Sequence, residues 1–189
     1  MQVRTDRLGL LLGQLETSCD VSRARLKGLT DEEYLWEAAP GAWSVRRRRD
    51  ATTQDAYGAG EWVLDFVRQE PKPAPVTTIA WRLGHLYSGF SLRWEWTFGG
   101  RQMLWDSLEF TPSAAEALDR FWTVMDRWRE CVGALTDQQL DIVGFGQFPG
   151  GLDPHLPFIS IVWWTNREFI HHMAEIALLR DLWRARFAD

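Results

Sequence analysis

Cysteine is scarce in this sequence, and the two cysteines present match no pairing or metal-binding motif. Cys19 and Cys131 lie far apart, and neither belongs to a CxxC pair. Their spacing therefore indicates neither a disulfide framework nor a cysteine metal site. Such cysteine usage fits a reducing compartment, and we expect a cytoplasmic protein.

The sequence also lacks a long apolar run. No window approaches the roughly 20 uninterrupted apolar residues that a membrane-crossing helix needs. The apolar patch over residues 8–15 is broken by two glycines and a glutamine, so it does not have the form of a signal peptide. We expect a soluble protein that has no membrane partner.

Net positive charge is missing as well. The formal net charge is -5, whereas a nucleic-acid partner requires a concentrated positive field. One basic run is a candidate binding site for a phosphate or another anion: Arg46-Arg47-Arg48-Arg49. Acidic residues nearby, such as Asp50 and Glu61, dilute its field, so we interpret the run as a solvated loop without an assigned role.

What the sequence does have is enough apolar residues for one core. Its 189 residues are 46% hydrophobic, which predicts a single domain over residues 1–189. Twelve tryptophans are many for this length, and most are expected to fill the core. An aromatic cage around a ligand is the alternative.

Apolar residues recur every three or four positions over four long stretches, a pattern typical of helices that bury one face. The predicted helices span residues 4–27, 77–98, 111–135 and 158–187. A Thr-Pro pair at residues 111–112 predicts the start of the third of these. The fold class is therefore predicted to be all-α.

Two threonines predict short extra helices after the first and third long ones. Thr30 and Glu33 have the spacing of a capping box, in which the threonine accepts from the glutamate amide and the carboxylate reaches back. Thr136 and Gln139 repeat this pattern. Each long helix of the pair should therefore be followed directly by a short capped one.

Two stretches, residues 41–76 and 141–157, lack periodicity and are predicted to be long connecting loops. A loop of that length is unusual in a compact domain unless something fixes it. We expect Trp43, Trp62 and Phe66 to hold the first loop against the core.

The last helix places two polar residues on its apolar stripe. At 100° per residue, the stripe lies within about 40° of one line. It comprises Phe158, Ile161, Thr165, Glu168, His172, Ile176, Leu179 and Trp183. A buried, isolated carboxylate costs several kcal/mol, roughly, unless it is paired or bound to a metal. Glu168 therefore needs a partner.

The spacing of Glu168 and His172 suits one metal ion. Side chains four residues apart on a helix are near enough to converge on an ion at about 2.0 to 2.2 Å. His85, within the second long helix, is the best placed third ligand. Two imidazoles and one carboxylate leave positions open for water or substrate, as catalytic metal sites do. Glu175, one turn beyond His172, is a candidate to orient that ligand.

The two remaining histidines are not expected to be ligands, and an ion pair is the alternative to a metal site. His171 is expected to face solvent or a neighbouring loop, and His155 to be structural or at the rim. The alternative is a buried ion pair of Glu168 and His172, with Arg82 as a further partner and His85 as an ordinary core histidine. From spacing alone, both interpretations stay open.

Three segments together give this chain a family resemblance. They are TTIAWRLGHL at residues 77–86, LTDEE at 29–33 followed by WSVR at 43–46, and NREFIHHMAEIALLRDL at 166–182. In this order and separation they resemble the DinB/YfiT-like superfamily over nearly the whole chain. The most specific parts are the GHL-containing helix and the HH-containing last helix.

The resemblance implies an up-down-down-up four-helix bundle, frequently dimeric, in which three histidines hold nickel, zinc or a similar ion. His85 matches the first ligand and His172 the last. The remaining ligand position falls on Glu168, where many members have histidine. This departure adds negative charge, and it weakens any inference about whether zinc, nickel or iron is bound.

The resemblance also implies a function, since the family includes transferases and isomerases that use low-molecular-weight thiols. We therefore expect a homodimeric, metal-dependent transferase that joins such a thiol to a small electrophilic substrate. One alternative is a hydrolase that uses metal-bound water, although neither a nucleophile elbow nor an HExxH motif is present. Another is a non-catalytic bundle that binds a small ligand or serves a stress response.

Overall fold

Five α-helices account for most of the chain in the computed structural model, which describes residues 5–69 and 71–187. They are α1 (Arg7–Leu26), α2 (Asp31–Leu35), α3 (Ile79–Phe98), α4 (Ala114–Gly133) and α5 (Phe158–Phe187). The prediction of a mostly helical protein is confirmed. Within the described ranges, no helix is both long and apolar enough to cross a membrane.

Helix α4 begins later than its sequence predicts. Its N-cap is Ser113, whose hydroxyl accepts from the Glu116 amide, and not Thr111. The Thr111 hydroxyl is used elsewhere, because it accepts from the Ser113 amide at 3.2 Å and donates to the Glu116 carboxylate at 2.7 Å. Pro112 consequently lies one residue before the cap instead of opening the helix.

The two predicted capping boxes have different outcomes. At Thr136 and Gln139 both halves form, although the short helix that follows is a 3-10 helix, Asp137–Asp141. At Thr30 only one half forms: the hydroxyl accepts from the Glu33 amide at 3.2 Å. The Glu33 carboxylate turns into the protein, where it accepts from Arg180 at 2.7 and 3.0 Å.

The core lies where α3 packs against α4 and α5, and α1 also packs against α5. Trp128 of α4 is at its centre, with ring centroids 5.8–6.1 Å from those of Phe90, Phe98 and Phe158. Of the twelve tryptophans, all of which lie in described residues, only Trp128 is fully buried. Five more are partly buried and pack against the core: Trp36, Trp62, Trp81, Trp94 and Trp122. Half of the tryptophans thus contribute to the core, whereas the sequence predicted that most of them would.

The first connecting segment contains a small sheet that the sequence did not predict. Strands β1 (Val45–Arg47) and β2 (Trp62–Leu64) pair antiparallel, with Val45 opposite Leu64. Strands of three residues are too short to show a period of two, which explains the omission. Trp62 packs against the core as expected. Phe66 is 38% exposed, but its ring centroid lies 5.6 Å from that of the core residue Tyr57, so it contacts the core only at its edge.

One buried carboxylate organises this segment. Asp65, which is fully buried, accepts from the Ser44 amide at 3.0 Å and from the Thr52 amide at 3.2 Å. It also pairs with Arg46 at 2.8 Å. Arg47 pairs with Glu61 at 3.0 Å. Because acidic side chains already neutralise Arg46 and Arg47, these two arginines add little to the field that the basic run offers an anion.

The two cysteines should differ sharply in reactivity, which gives a first testable prediction. Both are free; Cys19 is 1% exposed, and burial raises the pKa of its thiol to about 11. Cys131 is partly exposed. Because the thiolate is the reactive form, Cys19 should resist a thiol reagent at about pH 8.

We expect an aromatic disulfide reagent to modify one thiol of the native protein rapidly and the other only after unfolding. Cys131→Ser should remove the fast phase, and Cys19→Ser the slow one. Rapid modification of Cys19 in the native Cys131→Ser variant, at a rate like that of Cys131 in the native Cys19→Ser variant, would contradict this prediction.

Candidate metal centre

Helix α3 presents His85 in the interior of the fold. The helix starts where the Thr78 hydroxyl accepts from the Trp81 amide at 3.1 Å. One turn after Trp81, the imidazole of His85 stacks on the indole, with ring centroids 5.1 Å apart and planes within 5°. Burial, reinforced by the neighbouring His172, lowers the pKa of His85 to about 4. The ring is therefore neutral near physiological pH and can act as a metal ligand.

Helix α5 brings the other two predicted ligands to the same place. Glu168 and His172 are one turn apart, and the ring centroid of His172 lies 4.8 Å from that of His85. One potential ligand atom from each of the three residues lies within 4.8 Å of the other two. The structure thus brings together the three residues that the sequence singled out.

The distances within this trio suit a divalent ion. Two ligand atoms that each lie about 2.1 Å from one ion at a tetrahedral angle are about 3.4 Å apart. The Nε2 of His172 and the Oε2 of Glu168 are 3.5 Å apart. The same separation is within the range of a direct ion pair, so this distance alone fits both the shared ion and the ion-pair alternative.

Behind His172, a carboxylate and a guanidinium fix its orientation. The Nδ1 of His172 lies 2.8 Å from the Oε2 of Glu175, and Arg82 donates to that same oxygen. Because a carboxylate only accepts, Nδ1 carries the proton, and the 3.2 Å approach of Arg82 to Nδ1 is proximity between two donors that share one acceptor. With Nδ1 donating to Glu175, the Nε2 lone pair of His172 points towards Glu168 and His85.

The comparison with known families bears directly on this site. Residues 56–176, more than half of the sequence, match the model of the DinB superfamily. The chain belongs to the DinB superfamily. The match contains His85, Glu168, His172 and Glu175, whereas α1 and α2 precede it. Comparison with curated proteins and with solved structures gives no match.

In this DinB-superfamily chain, Glu168 has a partner that the sequence reasoning missed. Its Oε1 pairs with the guanidinium of Arg167 at 2.6 Å, and its side chain is 17% exposed. Glu168 is therefore neither fully buried nor without a counter-charge. The burial cost alone consequently does not require a metal, and the case for one rests on the convergence of three ligand atoms.

The other two histidines lie outside the trio. His171 is 63% exposed, with Nε2 3.4 Å from the Oε1 of Glu175, as expected for a residue that faces away from the site. His155 is exposed in the second connecting segment. Neither contributes to the candidate metal centre.

An apolar pocket of about 210 Å³ opens beside the trio, and it was not predicted from the sequence. Its polar end carries His85 and Glu168, and its remaining lining is largely aromatic and aliphatic. That lining comprises Leu86, Gly89, Phe90, Trp105, Phe148, Leu152, Trp164 and Thr165. Three of these residues, Trp105, Phe148 and Leu152, come from segments that connect the long helices, so only the folded chain places them beside the helical residues.

Proposed function

We propose that this DinB-superfamily protein binds one divalent metal ion through His85, Glu168 and His172 and transfers a low-molecular-weight thiol to a small electrophile. The observation that carries the proposal is the three-ligand cluster at the polar end of an apolar pocket. Three protein ligands leave coordination positions open, which is the pattern of catalytic sites and not of closed structural ones.

The three ligand groups are compatible with several divalent ions and do not distinguish among them. Two neutral imidazoles and a carboxylate are acceptable to zinc, nickel and iron. When bound, such an ion acts as a Lewis acid that lowers the pKa of a thiol at an open position. In the overall reaction the thiol sulfur bonds to the electrophilic atom, the leaving group departs with its electron pair, and the thiol proton passes to solvent.

The chain's own residues have distinct roles in this proposal. Stacking on Trp81 fixes the ring of His85, and the hydrogen bond to Glu175 fixes that of His172. Arg82 holds the Glu175 carboxylate in place. The apolar pocket excludes water from the electrophile, which disfavours hydrolysis as a competing reaction.

The hydrogen bonds of Glu175 argue against the hydrolase alternative. A hydrolase needs a general base beside the metal-bound water, and Glu175 is the nearest acid beyond the ligands, but the Oε2 of that carboxylate already accepts from His172 and Arg82. A base engaged in this way is poorly available to a water molecule. We therefore favour thiol transfer.

Elemental analysis and turnover assays test the proposal together. Protein purified without an affinity tag is expected to contain about one divalent ion per chain, and metal-loaded protein to consume electrophiles only when a thiol is supplied. The panel should pair each electrophile with bacillithiol, mycothiol and glutathione. Absence of thiol-dependent turnover in metal-loaded protein, under conditions in which a related transferase is active, would refute the transfer reaction.

The larger assembly forms part of the same proposal. From the resemblance we propose that α1, α3, α4 and α5 make a single up-down-down-up bundle that pairs as a cytoplasmic homodimer. Sedimentation velocity distinguishes the dimer from a monomer of 21.9 kDa. A monomer at all accessible concentrations would exclude the homodimer without affecting the metal site.

A further inference from the structure

The walls of the pocket beside the metal centre select an apolar occupant. Four aromatic rings contribute to them: Phe90, Trp105, Phe148 and Trp164. The hydroxyl of Thr165, which also lines the pocket, already donates to the Val162 carbonyl at 2.9 Å. Away from its polar end, the pocket therefore offers an occupant mainly ring faces and edges, which aromatic groups contact favourably.

The volume limits the size of that occupant. A cavity of about 150 Å³ lined by apolar side chains is sufficient to bind benzene. Pockets for drug-sized ligands begin at about 300 Å³. At about 210 Å³, this pocket has room for one or two fused rings.

A single glycine keeps this volume open. Gly89 lies one turn after His85 on α3 and lines the pocket. A Cβ added to Gly89 would meet no atom within 4 Å, so a side chain there would extend into empty space. Glycine in a helix interior costs about 1 kcal/mol relative to alanine, which makes its presence at this position notable.

The outer wall is held in place from within the protein. Arg93 is fully buried and pairs with Asp153 at 3.1 Å, while its guanidinium lies 4.6 Å from the ring centroid of Phe148. These contacts fix the connecting segment that supplies Phe148 and Leu152 to the pocket. A wall that is fixed in advance lowers the entropy cost of binding a rigid ligand.

We propose that this pocket binds an uncharged aromatic group of one or two rings, carried by the electrophilic substrate, and that Gly89 determines this specificity. The inference rests on the proposed function only where it names the ligand as the substrate. The occupied pocket would place the aromatic group beside His85 and Glu168, with its reactive atom towards the metal centre.

The test uses Gly89→Leu and a matched control, Gly13→Leu, with 2-naphthol as the probe. Gly13 is an exposed residue of α1 at which an added Cβ also meets nothing within 4 Å. Both changes replace a helical glycine with a better helix former, so both variants should fold. Saturation-transfer NMR detects binding, and calorimetric titration measures its affinity.

We expect wild type and Gly13→Leu to bind 2-naphthol equally, and Gly89→Leu to bind it at least about tenfold more weakly because leucine fills the pocket. Gly89→Ala should give an intermediate affinity, and it keeps the test valid if the leucine variant fails to fold. Equal affinities in wild type and both Gly89 variants would overturn the proposal, as would the absence of binding to wild type.

Metal content, measured on the same samples, separates this inference from the proposed function. Aromatic binding that depends on Gly89 in protein without a bound ion would leave the pocket assignment standing and refute the metal centre. A bound metal and thiol-dependent turnover, without a preference for aromatic electrophiles, would support the proposed function and refute the assignment of the pocket to an aromatic group.

Discussion

Replacing Arg180 with alanine is expected to lower the free energy of unfolding by about 3–5 kcal/mol. Arg180 is 1% exposed, and it donates to both carboxylate oxygens of Glu33 at 2.7 and 3.0 Å. Its Nη1 also donates to the backbone carbonyls of Arg25 and Lys27 at the end of α1. The substitution leaves a buried carboxylate and two carbonyls without their donor, which explains the size of the loss.

Arg184, one turn further along the same helix, provides the control because its side chain is exposed. Arg184→Ala should change the free energy of unfolding by no more than about 0.5 kcal/mol. Urea unfolding followed by circular dichroism measures both variants. A loss below about 1 kcal/mol for Arg180→Ala would show that the Glu33 pair does not join α5 to the first two helices in solution.

Local patterns predicted the helices well, because each helix depends on its own periodicity and on neighbouring caps. The end of α3 at Phe98 and the extent of α5 follow from residues within a few positions of one another. Glu33 shows where such reasoning stops. The capping-box pattern predicted a hydrogen bond from the Thr30 amide to this carboxylate, but the partner is Arg180, 147 residues away. A buried charge pair outweighed a local cap.

Part of the candidate site was likewise predictable from the sequence, and part of it depends on tertiary contacts. The one-turn spacing of Glu168 and His172 and the candidate third ligand, His85, were visible in the sequence, and the resemblance matched His85 and His172 to ligand positions. The Arg167–Glu168 pair was not predicted, because adjacent residues do not normally face each other on a helix. The pocket walls were not predictable either, since Phe148 is positioned by the tertiary contact with Arg93 and not by a local pattern.

His172→Ala is expected to remove most of the stabilisation that a bound metal gives, whereas His171→Ala should preserve it. The two residues are adjacent on α5, but only His172 faces His85 and Glu168. At a free-ion concentration about 100 times the dissociation constant, binding adds about 2.7 kcal/mol to the free energy of unfolding. For a protein of this length, that corresponds to a rise in Tm of about 5–10 °C.

Loss of a group that merely orients a ligand lowers metal affinity about 10–100-fold, and loss of the ligand itself should cost at least as much. A 100-fold loss reduces the stabilisation at the same ion concentration to about 0.4 kcal/mol, or a shift of about 1 °C. The measurement is the difference in Tm with and without zinc, nickel or iron(II) for each variant, so that any change in the stability of the metal-free protein cancels. Equal shifts in the two variants would place the ion elsewhere, because one substitution removes a proposed ligand and the other leaves all three intact.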